Sequence, residues 1–296
     1  MSDYDVWYRC KKRFEQDGAN FTLQGHAVSA RASGFWIPEF QVMFDAGICS
    51  PFNPLHIFVT HSHSDHAFNL PIILTGITTK PFVYVPRGAG AVVRAFLLAK
   101  HQLSRCDANA VYNVDEHCTL VEVSDGDAIP ITVRGDQPML VRVFATDHKI
   151  ASVGYALFHV RSRLKPEYAA CKGPELAQKR KDGVPLQMQV FAPCCVYVGD
   201  STPRWMSHDL FKNNDWPVVL CECTFVGELE DDPQRAVDAA AEHGHTCWAQ
   251  LGPLIKQRVD AGAKTTYCLV HWSDRYTSEA IVKFFKDVKQ VFAWTN

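Results

Sequence analysis

One run of this chain, residues 55–66, constrains it more than any other: Leu-His-Ile-Phe-Val-Thr-His-Ser-His-Ser-Asp-His. Its bulky, β-favouring centre at residues 57–59 predicts a short strand. Four ligand-type side chains follow that strand: His61, His63, Asp65 and His66. Imidazoles mixed with a carboxylate are ligands that zinc prefers, and so dense a cluster at a strand end is hard to place as ordinary surface or core histidines. The run therefore predicts a metal site.

The spacing in this loop indicates more than one ion. His61 and His63 alternate and can share one metal, whereas Asp65 and His66 lie further round the turn and are better placed for a second. A structural zinc closes its shell with four protein ligands, usually rich in cysteine, and this loop contains no cysteine. Two cations about 3.5–4 Å apart suit hydrolysis, because together they acidify a bridging water and hold substrate oxygens. We therefore expect a catalytic site.

Composition limits the class of protein. A chain of 296 residues is long enough for one large domain or two small ones. With 47% hydrophobic and 21% charged residues it is globular rather than disordered. The net charge of −2 gives no sign of a nucleic-acid partner, so a polyanion would need a local basic patch or metal ions.

The cysteines and the lengths of the apolar stretches indicate the cellular compartment of the protein. The 11 cysteines are scattered, without the C-x-x-C pairs of a zinc ribbon, and several lie in apolar runs, where a free thiol behaves as a small hydrophobe. The chain opens with an acidic Met-Ser-Asp-Tyr-Asp, and no stretch reaches the length of a membrane span. We expect a reduced, intracellular, cytoplasmic protein with no membrane partner.

Turn signals separate short apolar runs along the first half of the chain. Short strands and turns are expected over residues 1–34, with one strand at 21–28. Further strands are predicted at 41–47, 55–60, 82–86, 118–123, 128–133, 141–145 and 150–160, and helices at about 66–74 and 88–103. An Asp-Gly turn lies between the strands at 118–123 and 128–133.

The second half alternates strands with helices. Strands are predicted at 196–198, 217–220 and 267–270, and helices at about 246–261 and 278–288. No repeat or linker interrupts the pattern. One α/β domain covering residues 1–296 is the simplest interpretation.

Four further strands deliver ligand-type residues at their ends: His148, Asp200, Glu222 and His271. Each is weak support alone, because an aspartate in Gly-Asp-Ser can simply cap a turn and a lone histidine is more often structural. In layered α/β proteins, however, chemistry collects at strand ends, where loops vary on a fixed sheet. Together with the histidine loop, these residues complete two coordination shells.

The order His-x-His-x-Asp-His, lone His, Gly-Asp-Ser, distal His resembles the metallo-β-lactamase superfamily. Within it, the detail is similar to tRNase Z (ribonuclease Z), the endonuclease that removes the 3′ trailer from precursor tRNA. Five segments carry the similarity beyond the histidine loop: 147–155, 199–203, 222–225, 244–246 and 269–276. Residues 164–168, 172–176 and 183–184 are like the short tRNase Z forms of plants. The similarity covers roughly residues 35–285.

This resemblance implies a fold and a site. The fold is a four-layer αββα sandwich of the α/β class. The site holds two Zn²⁺ per subunit, with Mn²⁺ or another divalent ion as the alternative. One zinc takes His61, His63 and His148, the other takes Asp65, His66 and His271, and Asp200 bridges them. Asp65 also orients the attacking hydroxide, while Glu222 and His245 match the pair held near the leaving group.

The chemistry agrees with the interpretation of the residues. A phosphodiester anion repels hydroxide, so cations must neutralise it while making hydroxide available at neutral pH. The leaving 3′ oxygen needs a proton, and an imidazole polarised by a carboxylate is a suitable general acid. The expected products are a tRNA with a free 3′ hydroxyl and a 5′-phosphorylated trailer.

tRNase Z enzymes grip the tRNA elbow through an arm inserted between the lone-His strand and the Gly-Asp strand. The matching interval here is about residues 156–195, and it contains the one basic concentration of the chain: Arg161, Arg163, Lys165, Lys172, Lys179, Arg180 and Lys181. These cations are expected to contact phosphates of precursor tRNA. Alternatively, these basic residues form an ordinary solvent-exposed surface that binds no substrate. Family members also commonly form homodimers.

Two other functions remain open. A small-molecule hydrolase of the same superfamily, such as a lactonase, thioesterase or cyclic-nucleotide phosphodiesterase, would keep the metal shells but lack the Glu222/His245 pair and the basic arm. A non-catalytic RNA-binding relative should have lost ligands, and all seven ligand positions are filled here. The N-terminal Pro-x-Lys-x-Arg-Asn loop that many family members use near the discriminator nucleotide is absent from the sequence, which leaves the exact cleavage position open.

Overall fold

The computed structural model describes Trp7, residues 9–16 and residues 19–295. Residues 1–6, 8, 17, 18 and 296 lie outside the described residues, and with them the first part of the strand-and-turn region predicted for residues 1–34.

Two seven-stranded sheets form the centre of the protein, each built from strands in chain order. The first contains β1 (Lys11–Gln16), β2 (Ala19–Val28), β3 (Ala32–Ile37), β4 (Val42–Phe44), β5 (His56–Phe58), β6 (Phe82–Pro86) and β7 (Thr119–Val123). The second contains β8 (Ala128–Val133), β9 (Gln137–Ala145), β10 (Val153–Leu164), β11 (Gln187–Tyr197), β12 (Val218–Glu222), β13 (Tyr267–Val270) and β14 (Val291–Ala293). Pairing is antiparallel from β1 to β4 and from β8 to β11, and parallel in the rest of each sheet.

Helices cover the outer face of each sheet. The first sheet has α1 (Ser64–Ala67), α2 (Leu70–Gly76), α3 (Gly90–Arg105) and α4 (Val114–His117) between its strands. The second has α5 (Gly173–Lys181), α6 (Asp209–Lys212), α7 (Pro233–His243), α8 (Trp248–Asp260) and α9 (Ser278–Phe285) between its strands. Short 3-10 turns occur at Pro166–Tyr168, Pro203–Ser207 and Gly227–Leu229.

Alternation along β5 shows how the layers stack. Ile57 and Val59 belong to the cluster under the helices of the first sheet, together with side chains of α2 and α3. Phe58, between them, points into the core shared by the two sheets, where its ring lies 4.9 Å from that of Tyr155 in β10. Because both faces are buried here, residues 57–59 are continuously apolar rather than alternating. The predicted four-layer αββα sandwich is confirmed.

The predicted turn at Asp125-Gly126 lies between β7 and β8. Its flanking strands exist, but β7 pairs with β6 and β8 pairs with β9, so the two strands do not form a hairpin. The turn instead carries the chain from one sheet to the other, and Gly126 supplies the positive φ of 86° that it needs. Hydrogen bonds from Gly126 N to Val143 O and from Ala145 N to the Asp125 carboxylate fasten it to β9.

The helix predicted at 66–74 is two helices, because the chain turns at residues 68–69 and Pro71 restarts it in the first turn of α2. Strand β11 begins at Gln187, well before the predicted 196–198. Pro193 obscured it, since proline lacks a ladder donor, and the register shifts at its partner Leu157/Phe158. Strand β14 and four helices were not predicted: α4, α5, α6 and α7.

Candidate metal centre and catalytic site

Ligand-type side chains meet at one edge because the strands before them end there. The carboxyl ends of the parallel strands β11, β12 and β13 share this edge, and β9 reaches it as well because β10 reverses direction between β9 and β11. The loop after β5 joins them from the first sheet, where Val153 N donates to Thr60 O at 3.0 Å. Two groups of side chains result, each with ligand atoms within 4.8 Å of one another: His61, His63 and His148; and Asp65, His66, Asp200 and His271.

The first group consists of three imidazole nitrogens that face one another. Nε2 of His61 lies 3.1 Å from Nδ1 of His63, and Nε2 of His148 lies 3.2 Å from the same atom. Zinc–nitrogen bonds of about 2.0–2.1 Å place tetrahedral ligand atoms about 3.3 Å apart. The spacing therefore fits three ligands on one cation.

The second group mixes imidazoles and carboxylates at similar distances. Nε2 of His271 lies 3.4 Å from Nε2 of His66 and 3.3 Å from Oδ2 of Asp65. The same Asp65 oxygen lies 3.5 Å from Nε2 of His66. Oxygen and nitrogen donors arranged in this way suit zinc or another divalent ion.

Asp200 lies between the two groups. Its Oδ2 is 3.7 Å from Nε2 of His61, while its Oδ1 is 3.3 Å from Nε2 of His66 and 3.4 Å from Nε2 of His271. Oδ1 is buried and has no hydrogen-bond partner among the described residues. A buried carboxylate oxygen without a hydrogen bond is costly unless a cation satisfies it. The residues present thus fit a cation on either side of Asp200.

Hydrogen bonds on the outer nitrogens fix which ring nitrogen faces the cluster. His148 Nδ1 donates to Gly244 O at 2.9 Å, and His66 Nδ1 donates to Asp45 Oδ2 at 2.7 Å. The Thr60 hydroxyl donates to Asp45 and so accepts from His61 Nδ1 at 3.0 Å. In each of these rings Nδ1 carries a proton, so Nε2 is the nitrogen that faces the cluster and can bind a metal.

Asp45 is a site residue that the sequence interpretation missed. It is fully buried, follows β4 and adopts a positive φ of 53°. Besides His66 and Thr60, it accepts from Tyr197 OH at 2.7 Å. In the sequence, Asp-Ala-Gly at residues 45–47 indicated only a turn. The signal that could have found it is a carboxylate ending the strand directly before the histidine strand, at the same sheet edge.

Two close approaches also shape the site. A Cβ on Gly199, which has a φ of +69°, would lie 2.7 Å from the side chain of Thr60. A Cβ on Gly47 would lie 1.7 Å from the backbone oxygen of Asp65.

The backbone of His271 adopts a φ of 64°, a region that non-glycine residues occupy rarely. Backbone strain of this kind is common where a side chain must be aimed at a functional site.

Burial and charge set the protonation of the cluster. Burial lowers the pKa of His61 and His63, which favours the neutral, ligating form. Burial raises the pKa of Asp65 and Asp200, but neighbouring imidazoles outweigh it and hold the pKa of both carboxyls well below the usual range. The pKa of His66 shifts the other way from those of His61 and His63. Burial lowers it, but the negative charges of Asp200 and Asp45 outweigh burial and raise it overall. A cation at this position must displace a proton from His66.

Glu222 and His245 form a pair beside the cluster. Glu222 is buried and accepts four hydrogen bonds: from Ser201 N, His245 Nδ1, Thr224 Oγ1 and Thr246 N. His245 Nδ1 donates to it at 2.9 Å, and the imidazole side chain is 16% exposed. Burial lowers the pKa of His245, but the charge of Glu222 and this hydrogen bond raise it to about 9. The ring is therefore held as a proton donor that solvent can reach.

Glu222 also reaches the metal cluster through one side chain. The Thr224 hydroxyl donates to Glu222 Oε2 at 2.5 Å and accepts from Nδ1 of His271 at 3.0 Å. A single buried carboxylate thus orients both the candidate acid His245 and the candidate ligand His271. Thr224 was not among the predicted site residues.

A cleft of about 770 Å³ opens beside His148 and His245. The remaining residues that line it are Asp147, Lys149, Thr202, Pro203, Arg204, Met206, Ser207, Ala241, Gly244, Gln250, Leu254, Gln257 and Arg258. We call it the His245 cleft. Its volume is in the range of about 300–1,000 Å³ that is usual for ligand sites.

The predicted basic arm lies elsewhere. Strand β10 starts beside the cluster at Val153 and runs for 12 residues, which at about 3.3 Å per residue carries its far end about 36 Å away. The arm is the outer part of the β10–β11 hairpin with α5 at its tip. Arg161 and Lys165 are half-buried, Lys179 lies over the ring of Tyr168 at 5.3 Å, and the other four cations are exposed: Arg163, Lys172, Arg180 and Lys181. The structure does not bring these cations to the metal cluster.

No helix in the described part of the chain is long and apolar enough to cross a membrane.

Comparison with known proteins agrees with this geometry. No protein-family model matches the chain. Among solved structures, it is similar to the metallo-β-lactamase fold protein YhfI of Bacillus subtilis, with a TM-score of 0.52, 14% identity and coverage of 90% of this chain and 93% of that one. It is also similar to Zn²⁺-bound PqqB of Methylobacterium extorquens, with a TM-score of 0.50, 13% identity and coverage of 89% and 87%. The chain thus has the metallo-β-lactamase fold, and its histidine–aspartate cluster could hold divalent metal ions.

The curated relatives are tRNase Z proteins. The chain is 28% identical to the chloroplastic tRNase Z TRZ2 of Arabidopsis thaliana, over 88% of this chain and 70% of that protein. It is 24% identical to tRNase Z TRZ1 of the same plant, over 92% and 91%, and 27% identical to ribonuclease Z of Halobacterium salinarum, over 80% and 79%. The resemblance to tRNase Z that the sequence motifs indicated is confirmed.

Proposed function

We propose that this protein is a metal-dependent endoribonuclease that removes the 3′ trailer from precursor tRNA, leaving a tRNA 3′ hydroxyl and a 5′-phosphorylated trailer. The observation that carries this proposal is the Glu222–His245 pair, 2.9 Å apart, beside a histidine–aspartate cluster in a chain whose curated relatives are tRNase Z proteins. The cluster supplies the metal ligands that hydrolysis needs, and the pair supplies a proton to the leaving group.

We assign two cations to the cluster, as two Zn²⁺ or, alternatively, Mn²⁺ or other divalent ions. His61, His63 and His148 would hold one, Asp65, His66 and His271 the other, and Asp200 both. When bound, two such cations supply the positive charge that neutralises a phosphodiester and makes hydroxide available at neutral pH. The spacing of the ring nitrogens and the unpaired oxygen of Asp200 support this assignment.

The other steps fall to residues of the chain. The Asp65 carboxylate lies in the cluster, where backbone N of Ala30 fixes it with a hydrogen bond to Oδ2 at 3.1 Å. It is therefore placed to orient the attacking hydroxide. His245, held protonated by Glu222, donates a proton to the departing 3′ oxygen. Four donors stabilise the negative charge of Glu222 while His245 gives up its proton.

The basic arm supports a large substrate. A cation about 36 Å from the cluster can affect cleavage only if the substrate is a long polyanion. We propose that the segment at about residues 156–195 binds precursor tRNA away from the cut. We further propose a single domain over residues 1–296, a homodimer and a cytoplasmic location; one relative is named as chloroplastic.

A small-molecule hydrolase is less well supported. It has no use for a proton-donor pair beside the cluster together with a basic hairpin at the far end of β10. A non-catalytic RNA-binding relative is also less well supported, because all seven candidate ligands are present and converge.

The test is to incubate the purified, zinc-loaded protein with a 3′-extended precursor tRNA and to map both product ends. We expect a single cut near the discriminator, abolished by His63→Ala or by chelation. The exposed His243→Ala is a matched control that removes an imidazole outside the cluster. Absence of the cut, with brisk hydrolysis of bis-p-nitrophenyl phosphate, would retain the metal site and overturn the tRNA assignment.

A further inference from the structure

The His245 cleft carries more positive charge than the composition of the chain would predict. Of the described residues that line it, Lys149, Arg204 and Arg258 are cations and Asp147 is the one carboxylate. Asp147 is already engaged, because it accepts from the Thr202 hydroxyl at 2.5 Å and lies 3.5 Å from Arg204 Nη1. An anionic ligand would therefore meet a net positive surface beside His245.

The cationic groups differ in how firmly they are held. The Arg204 side chain is 81% exposed, so most of it is open to solvent. Lys149 is exposed and directly follows His148. Arg258 is half-buried on α8, donates from Nη2 to Asn214 O at 3.4 Å, and has a buried Nε with no hydrogen-bond partner in the described structure.

The cleft also has apolar walls. Pro203, Met206 and Leu254 line it, and Leu254 is 37% exposed. The amides of Gln250 and Gln257 add donors and acceptors. Cations for phosphates, apolar surface for riboses, and amides for 2′ hydroxyls and base edges are the combination that suits the end of an RNA chain.

The chemistry at His245 fixes the direction of the strand. In the proposed reaction the water oxygen bonds to phosphorus, the P–O3′ bond breaks, and its electron pair stays on O3′, which takes the proton from His245. Phosphorus stays with the trailer as its 5′ phosphate. O3′ belongs to the last nucleotide of the product tRNA, so that ribose must lie against His245, where the cleft opens.

Building on the proposed function, we propose that the His245 cleft binds the 3′-terminal nucleotides of the tRNA, on the 5′ side of the cut, with Arg204 and Lys149 pairing with their phosphates. The trailer then extends from the metal cluster in another direction. Retention of the product tRNA and release of the trailer therefore depend on different surfaces.

The experiment compares the double variant Lys149→Ala/Arg204→Ala with the control Lys212→Ala/Lys256→Ala. The control also removes two cations, from exposed lysines of α6 and α8 that do not line the cleft. Precursor cleavage is measured with two inhibitors: trailer-free tRNA with a 3′ hydroxyl, and a 5′-phosphorylated trailer oligonucleotide. Hydrolysis of bis-p-nitrophenyl phosphate reports on the metal cluster, and Arg204→Ala alone repeats the test if the change at Lys149 disturbs His148.

For the cleft variant we expect the inhibition constant of trailer-free tRNA to rise about tenfold and its salt slope to fall by about two, one for each phosphate that is no longer paired with a cation. Inhibition by the trailer should match that of the control. A selective loss of trailer inhibition, or tRNA inhibition equal to that of the control, overturns the cleft assignment while wild-type cleavage leaves the proposed function standing. Failure of the wild-type protein to cleave the precursor overturns both.

Discussion

Asp45 and His66 are joined by a hydrogen bond of 2.7 Å between two side chains that are both fully buried. The bond places the proton of His66 on Nδ1 and turns Nε2 toward Asp65 and Asp200. A ligand histidine held by a carboxylate is both better oriented and more basic than a free one. Asp45 therefore acts on the metal cluster without touching it.

Replacing Asp45 tests that relationship. Asp45→Ala should lower the affinity for zinc by about 10- to 100-fold, because His66 loses its orienting partner. Competition with a chromophoric chelator measures the effect, and the exposed Asp209→Ala is the control. Tyr197→Phe, which removes only one donor to Asp45, should have a smaller effect. Unchanged zinc affinity in Asp45→Ala would contradict the assigned role.

Glu222→Gln should change the pH dependence of precursor cleavage. The pKa of His245 is raised to about 9, because the charge of Glu222 outweighs burial. As the acid, His245 is active when protonated, so kcat should be level below this pKa and fall as pH rises through it. Removing the negative charge lowers the pKa of His245, and the alkaline fall should move to lower pH.

The pH dependence of kcat also distinguishes the role of Glu222 from that of His245. His245→Ala should lose the alkaline fall altogether and have a lower kcat, by about 10²- to 10⁴-fold, while metal content measured by atomic absorption stays unchanged. An alkaline limb that persists in His245→Ala would assign the proton to another group. The raised pKa also stabilises the fold: the contribution is full below the ordinary value of 6.5 and is lost as pH rises through about 9.

Metal binding should release protons. Carboxylates of Asp200 and Asp45 raise the pKa of His66, so a cation has to displace its proton. Apparent zinc affinity should therefore increase as pH rises between about 6 and 8. Isothermal titration in buffers of different ionisation enthalpy counts the protons released. An affinity that is flat over this range would contradict the protonation assigned to His66.

Cations of α5 should contribute to tRNA binding and not to the chemical step. Arg180→Ala/Lys181→Ala should weaken precursor binding and lower the salt slope by about two, since removing the cation from one phosphate lowers it by about one. Hydrolysis of bis-p-nitrophenyl phosphate should be unchanged. Lys283→Ala/Lys289→Ala removes two exposed lysines outside the arm and serves as the matched control. Equal salt slopes in the two variants would identify the arm as an ordinary solvated surface.

Gly199→Ala should destabilise the protein by about 1–3 kcal/mol. Its φ of +69° is unfavourable for alanine, and the added Cβ would lie 2.7 Å from Thr60, which orients His61. Gly76→Ala is the control, because it ends α2 and a Cβ there meets nothing within 4 Å. Urea denaturation monitored by tryptophan fluorescence compares the two. Equal midpoints would show that the Thr60 side chain leaves room for a methyl group.

The candidate ligands could be predicted from the sequence because each follows a strand of apolar residues. His61 and His63 lie within five residues of the end of β5, and His271 follows β13 with no intervening residue. Asp45 could not be recognised in the same way. Its partners His66 and Tyr197 are remote in sequence, and a carboxylate before Ala-Gly indicates a turn until the fold brings those partners together.

The fold was predicted at the level of layers and less well at the level of pairing. Strands β6 and β13 have the predicted ends, because each is a short apolar run between breakers. The pairing of the strands beside Asp125-Gly126 was not predicted, since local turn chemistry does not reveal that β7 and β8 have partners in different sheets. The first part of β11, from Gln187 to Pro193, contains glutamines and ends in a proline, so its own sequence does not indicate a strand. It is extended because it pairs with β10.

The turn at Asp125-Gly126 has a consequence for assembly, because every strand before it belongs to one sheet and every strand after it to the other. The histidine loop comes from the first half of the chain, whereas His148, Asp200 and His271 come from the second. Neither half holds a complete ligand set, so tight cation binding requires both. The free energy of metal binding is then available to hold the two halves of the chain together.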